Sequence, residues 1–194
     1  MKKIRVAIAG ASGYAGAELV RLAALHPHFD LCAVTSEKSA GVPVASVFPS
    51  LAGLVPLSFQ ALSPESLAEM AHAVFLALPH TKSFTPVAAC IQTGKLVVDL
   101  SADYRLKDPA LYEQWYKTPH THAGLLKDAV YGLPELHRNA IAKARLVASP
   151  GCYPTAAVLQ LAPLFAQSLV DSQGHIVIDG KSGASGTGRR PSLP

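Results

Sequence analysis

Short apolar runs alternate with stretches of helical period along most of this chain. Residues 3–9 (KIRVAIA) are apolar at nearly every position and predict a first strand. Residues 14–26 (YAGAELVRLAALH) carry apolar side chains at helical spacing, and Pro27 ends the run. Further strands are predicted at 29–35 (FDLCAVT), 72–78 (HAVFLAL), 96–101 (LVVDLS) and 145–149 (RLVAS). Helices are predicted between them. One starts at Ser63-Pro64-Glu65, and one covers 81–93 and stops at Gly94. One covers 108–117, with Asp108 as cap and Pro109 at its first position, and one covers 138–143. Such alternation packs as a parallel sheet covered by crossover helices. The expected fold is therefore α/β, with a Rossmann-type doubly wound parallel sheet.

Two regions break the rhythm. Residues 37–62 are rich in Ser, Pro and Gly, and a stretch that long is expected to be a functional flap or a poorly ordered insert. Beyond residue 149 the pattern resumes with a helix over 154–168 and a strand over 175–181 (HIVIDGK). A Gly- and Ser-rich tail follows. Residues 1–149 are expected to form one domain, and 150–194 the beginning of a second, α+β domain that stays incomplete.

The turn Gly10-Ala11-Ser12-Gly13-Tyr14-Ala15-Gly16 joins the first strand to the first helix. Glycines at this spacing permit a tight turn and let the backbone approach a pyrophosphate, while the helix N-terminus supplies free N–H groups. A merely tight turn is the alternative, and the position at the head of a βαβ pattern argues against it. The second strand ends Val34-Thr35-Ser36, followed by Glu37 and Lys38. Hydroxyls and a lysine suit a ribose 2′-phosphate, so NADP is the expected cofactor. Glu37 is the residue that could serve NAD instead.

Composition narrows the classes. Apolar residues are 49% of the chain and charged residues 15%, enough for a sizeable core. No apolar run reaches the roughly 18 residues that span a bilayer, and Met1-Lys2-Lys3-Ile4-Arg5 leads straight into a strand without a signal-peptide pattern. A soluble, cytoplasmic protein is expected. The net charge of +4 is scattered, which argues against nucleic acid and suits small anionic ligands. Three widely spaced cysteines make no disulfide framework and no CxxC pair, so no metal is expected.

Cys32 and Cys90 sit in apolar runs as core residues, but Cys152 does not. It lies in Ser149-Pro150-Gly151-Cys152-Tyr153-Pro154-Thr155, a forced turn between a strand and a helix. Unpaired N–H groups at that helix start favour a thiolate nucleophile and could stabilise an oxyanion. A structural cysteine in a capping turn is the plainer alternative.

Six stretches carry a resemblance. They are GASGYAGAELVRLAALHP near the start, FLALPH around Pro79, VVDLSADYRL around Asp103, YGLPEL around Pro134, SPGCYPTA around Cys152, and KSGASGTGR near the end. In this order they resemble the N-acetyl-gamma-glutamyl-phosphate reductases, relatives of aspartate-semialdehyde dehydrogenase. The resemblance implies NADPH-dependent reduction of an acyl phosphate to an aldehyde through a thioester on Cys152, in arginine biosynthesis. It implies that Gly10, Ser12, Gly13 and Gly16, with Tyr14 beside them, cradle the pyrophosphate. Ser36 and Lys38 then lie near the adenosine ribose phosphate, and Pro79 and His80 border the cofactor. Ser182, Gly183 and Gly186 approach the nicotinamide, with Ser185 near the substrate, and Arg105 takes the substrate phosphate.

The resemblance also implies a catalytic histidine and most of a second domain beyond Pro194. The chain by itself is therefore expected to be inactive, and the full-length form to be a homo-oligomer. The eight histidines present offer no replacement. His80 and His137 belong to other motifs, His120 and His122 read as surface residues, and His175 opens a strand. Two rival readings remain: the same chemistry on an aspartyl or aminoadipyl phosphate, and a non-catalytic NADP-binding redox sensor.

Overall fold

A computed structural model describes residues 2–171 and 173–189. Six parallel strands form one sheet: β1 (Ile4–Ala9), β2 (Phe29–Val34), β3 (Ala73–Leu76), β4 (Leu96–Asp99), β5 (Ala129–Tyr131) and β6 (Leu146–Ala148). Their spatial order is β2-β1-β3-β4-β6-β5. Seven helices accompany them: α1 (Tyr14–Leu25), α2 (Val44–Val47), α3 (Pro64–Met70), α4 (Phe84–Gln92), α5 (Pro109–Tyr116), α6 (Pro134–Ile141) and α7 (Cys152–Ala166). The expected Rossmann-type sheet is present. The chain leaves β1 for β2 on one side and returns to β3 on the other. Connections therefore diverge between the carboxyl ends of β1 and β3, which opens a crevice there.

The sheet is buried on both faces, as its near-continuous apolar strands require. Val6 and Ile8 of β1 join Val20 of α1 in one core, while Ala7 and Ala9 join Leu67 of α3 and Val87 of α4 in the other. Each fully buried Val or Leu contributes about 1.5–3 kcal/mol relative to exposure.

Several elements differ from the sequence reading. Residues 37–62 are neither flap nor loose insert. They contain α2 and a short 3₁₀ turn, Pro49–Leu51, and they bury Val44, Leu51, Val55 and Phe59 beside α1 and β2. Bridges from Pro43 to Ser58 and from Thr35 to Gln60 tie the segment down. Its Ser, Pro and Gly content reads as loop, and its buried residues come from short turns and irregular backbone. β5 was not predicted, because three residues are too few to show alternation. Helix α6 begins at Pro134 rather than residue 138, and His137 interrupts its helical geometry with φ −124°. The strand expected over 175–181 does not form. Val177 there is 90% exposed. Among the described residues no strand lies beside it, and an unpaired strand has no ladder to hold it. None of the described residues of α7 is buried.

His120 is the other correction: it is buried, not a surface residue, with 8% of its area exposed. Its Nε2–H donates to the Asp103 carbonyl at 2.7 Å, and its Nδ1 accepts the His122 N–H at 3.2 Å. The rings of Phe84, Tyr104 and Tyr112 surround it. With one nitrogen donating and the other accepting, the imidazole is neutral. Burial holds its pKa below the ordinary histidine value, against the pull of Asp103. The sign follows from proton binding. As pH falls below about 6.5 the unfolded chain takes up a proton at this site and the folded chain does not, so stability drops until the folded pKa is reached. Replacing His120 by Gln, which can donate and accept in the same places, is expected to flatten the fall in unfolding midpoint between about pH 7 and 5. Parallel wild-type and H120Q curves would contradict this.

Candidate active site

At the end of β1 the backbone turns at Gly10, whose φ is +74°. A β-carbon on Gly10 would sit 2.4 Å from the Ala77 carbonyl oxygen, at the end of β3. One on Gly16 would sit 2.4 Å from the Gly10 carbonyl oxygen and 2.7 Å from the α-carbon of Ala11. Neither neighbour is a side chain that could swing away. Gly13 differs: its φ is −80° and the nearest atom to an added β-carbon is 3.7 Å away. Gly13 caps α1 without any side-chain hydrogen bond. The first-turn N–H groups of α1 thus have no side-chain acceptor and lie ready for an anion. Half-exposed Tyr14 begins that turn. This bare-backbone cradle fits a dinucleotide pyrophosphate.

The end of β2 joins the same wall. Ser12 Oγ and Ser36 Oγ are 2.7 Å apart, and the Ala11 N–H donates to the Thr35 carbonyl at 2.9 Å. Ser36 itself is buried, and its N–H donates to the Gln60 carbonyl, so the 37–62 segment fixes this corner. Glu37 and Lys38 are both exposed, and neither has an ion pair among the described residues.

The opposite wall follows β3. Pro79 and His80 are exposed. The His80 Nδ1 accepts the Ala102 N–H at 3.0 Å, and its ring meets the edge of Tyr116. Helix α4 starts three residues later than expected because Thr81 takes a left-handed φ of +68°. Asp103, wholly buried, accepts from the N–H groups of Thr81 and Ser83 and from the Tyr112 hydroxyl. Below it, burial pushes the Asp99 carboxyl above the ordinary carboxylate value, while bonds from Ser101 oppose the rise. Sequence reading quoted Asp103 within its motif and gave it no role; an acid just past the end of a buried apolar strand was the available signal.

Cys152 is the first residue of α7 and is exposed. Gly151 caps the helix without a side-chain bond, and the Thr155 hydroxyl donates back to the Gly151 carbonyl at 2.8 Å. Cys152 shares an open cavity of about 700 Å³ with Ser182, Gly183, Ser185 and Gly186, so the structure brings the predicted tail loop to the cysteine. Arg105 lies beneath this turn. Its Nε donates to the Ser149 carbonyl at 2.7 Å and its Nη2 to the Leu100 carbonyl at 2.8 Å. The Nη1 is 3.3 Å from where a Gly151 β-carbon would sit. One fork of the guanidinium is therefore committed to backbone, and no carboxylate pairs with it among the described residues. Cys90, in contrast, is buried, and burial raises its pKa to about 11.

Fold and site together define a dinucleotide-binding α/β domain whose sheet leads into a helix headed by an exposed cysteine. The model of the semialdehyde dehydrogenase NAD-binding domain matches residues 5–144, and that of the semialdehyde dehydrogenase dimerisation domain matches residues 152–194. The chain belongs to the semialdehyde dehydrogenase family. An N-acetyl-gamma-glutamyl-phosphate reductase of Heliobacterium modesticaldum is 52% identical over 98% of this chain and 54% of that protein. One from Nitrosococcus oceani is 48% identical over 98% of this chain and 55% of its own length. The chain thus spans about half the length of these curated relatives. Among solved structures, aspartate semialdehyde dehydrogenase with NADP from Candida albicans shares the fold, with a TM-score of 0.64 and 18% identity. That match covers 86% of this chain and 48% of the other. Among the described residues, no helix is long and apolar enough to cross a membrane.

The two kinds of glycine in the turn separate by substitution. Gly16→Ala is expected to cost about 2 kcal/mol of stability or more and to weaken nicotinamide-dinucleotide binding, since α1 must move off β1. Gly13→Ala is expected to leave the unfolding midpoint nearly unchanged. Thermal unfolding and cofactor titration of both variants check this, and equal tolerance at the two positions would refute the close-approach account.

Proposed function

We propose that this chain carries the cofactor-binding half and the nucleophile of an NADPH-dependent reductase of N-acetyl-gamma-glutamyl phosphate. The observation that carries the reading is Cys152, exposed at an uncapped helix start and sharing a cavity with the Ser182–Gly186 loop. Relatives that are 52% and 48% identical to this chain over about half of their own length, and which bear that reductase name, support the choice of substrate.

The Cys152 thiolate attacks the acyl carbon, a C–S bond forms, and the C–O bond to phosphate breaks as phosphate leaves. N–H groups of the first turn of α7 are placed to stabilise the oxygen that becomes negative. NADPH, when bound, supplies the hydride that reduces the resulting thioester. Collapse of the thiohemiacetal breaks the C–S bond, returns the thiolate, and releases N-acetylglutamate semialdehyde. Arg105 serves the substrate phosphate through its Nη1 side while its other fork anchors the Ser149 and Leu100 carbonyls. It is thus a cation and a brace at once. Ser182, Gly183, Ser185 and Gly186 close the far side of the cavity.

The paired hydroxyls of Ser12 and Ser36, with Lys38 beyond them, favour a 2′-phosphate over a bare ribose. The dimerisation-domain match supports a homo-oligomeric whole protein.

Two measurements test this reading. In the whole protein, Cys152→Ser is expected to reduce NADPH-linked aldehyde formation to background while cofactor affinity is retained; substantial turnover would remove Cys152 from the mechanism. Fluorescence titration is expected to give tighter binding of NADPH than of NADH. Equal affinities would mean that exposed Glu37, and not Ser36 and Lys38, governs the ribose.

A further inference from the structure

Three non-glycine residues have a left-handed φ among the described residues: Thr81, Lys117 and Ser168. Lys117 is the C-cap of α5, and Ser168 follows the C-cap of α7. Helix ends commonly close through this conformation. Thr81 has no such reason: it precedes a helix, and it is β-branched, the side-chain class least tolerant of positive φ. Strain of this kind persists only where surroundings over-determine it.

Two things hold it here: the Lys82 N–H donates to the Pro79 carbonyl at 3.2 Å, which closes a turn with Thr81 at its third position, and one side chain braces that turn. Asp103 Oδ1 accepts the Thr81 N–H at 2.7 Å, and Oδ2 accepts the Ser83 N–H at 2.9 Å. The Tyr112 hydroxyl adds a third bond, to Oδ1 at 2.8 Å. This is not an ordinary helix cap. A cap bonds N–H groups inside the first turn, whereas Thr81 and Ser83 both precede α4. The bonds instead fix the turn that follows Pro79 and His80. The neighbouring Ala102 N–H holds the His80 ring through Nδ1. A neutral ring so bound carries its proton on Nε2. Gly10 packs against Ala77 and Leu78, the two residues that lead into Pro79 and His80, so this turn continues the wall beside the glycine turn.

We propose that Asp103 is a positioning residue for the cofactor: its carboxylate holds Thr81 in the left-handed region and so presents His80, with an Nε2–H donor, to the bound dinucleotide. The inference rests on the reading of the β1–β3 crevice as the dinucleotide site.

The test uses the whole protein and NADPH, with affinity measured by fluorescence below each variant's unfolding midpoint. Asp103→Asn places an NH₂ group against one of the N–H donors, and binding is expected to weaken about tenfold, the scale of one or two lost hydrogen bonds. Thr81→Gly alone should bind within about threefold of wild type, because glycine adopts this φ without strain. The double variant D103N/T81G should recover most of the lost affinity. A purely structural role for Asp103 lowers the unfolding midpoint but gives no such rescue. Tight binding by D103N, or a double variant no better than D103N, overturns the proposal. His80→Ala keeps every bond of the Asp103 carboxylate and stays informative if D103N does not fold. Its binding should weaken at an unchanged midpoint, and unaltered affinity overturns the proposal. Wild-type protein that binds no nicotinamide dinucleotide overturns the cofactor reading and this inference together. Wild-type binding with indifferent variants removes the role of Asp103 alone.

Discussion

No side chain fits between the carbonyl of Gly10 and the α-carbon of Gly16, and the rest of the crevice depends on that contact. It draws the start of α1 onto the end of β1, so the first-turn N–H groups point across the gap and not into a capping side chain. The same Gly10 lies against the Ala77 carbonyl, which brings the segment after β3 to a fixed distance from the glycine turn. Both walls are thereby set by backbone against backbone. Such contacts do not relax by rotamer change, so the cradle keeps its width without a ligand to hold it open.

The two parts of the chain rest on different physics. The sheet and α1 to α4 enclose two apolar clusters of their own, one on each face. From Cys152 onward almost nothing is buried. Leu169, Val177 and Ile178 are more than half exposed, and α7 contributes no buried residue among those described. Apolar surface left open in this way is characteristic of faces that pack against further protein. That agrees with the match of this region to a dimerisation-domain model. Cys152 sits at the seam: its turn is anchored to the sheet by Arg105, and its helix belongs to the less covered part.

Legibility in the sequence followed the same division. The parallel sheet and the glycine turn were readable because their apolar runs are bounded by Gly and Pro at meaningful offsets. Ser12 and Ser36 could be nominated from position, but their 2.7 Å hydroxyl contact depends on tertiary pairing of β1 with β2. The 37–62 segment was misread because its Ser, Pro and Gly content reads as loop, while Val44, Leu51, Val55 and Phe59 are buried from short turns and irregular backbone. The strand expected over 175–181 was misread for the opposite reason: its apolar run Ile176-Val177-Ile178 reads well as a strand, and such a run makes a strand only beside another strand. His120 was judged by its polar neighbours in sequence, yet three aromatic rings from separate elements decide its burial. Arg105 was expected to offer a free fork to phosphate, and two carbonyls distant in sequence occupy half of it.

The segment Leu100 to Arg105 joins the two sides of the proposed site. It leaves the end of β4, the strand between β3 and β6. On the β3 side, Ala102 and Asp103 grip the His80–Ser83 turn. On the β6 side, Arg105 and the Asp99 carbonyl hold Ser149, three residues before Cys152. Ser101 ties the two sides, donating to the Asp99 carboxylate and accepting the Asp103 N–H. In the proposed reaction a thioester carbon on Cys152 and a hydride donor in the crevice have to be held about 3–3.5 Å apart. A single buried strand-end segment that references both walls meets that demand more directly than two loops positioned independently. It also accounts for the concentration of acids and hydroxyls in a place where the rest of the sheet is apolar.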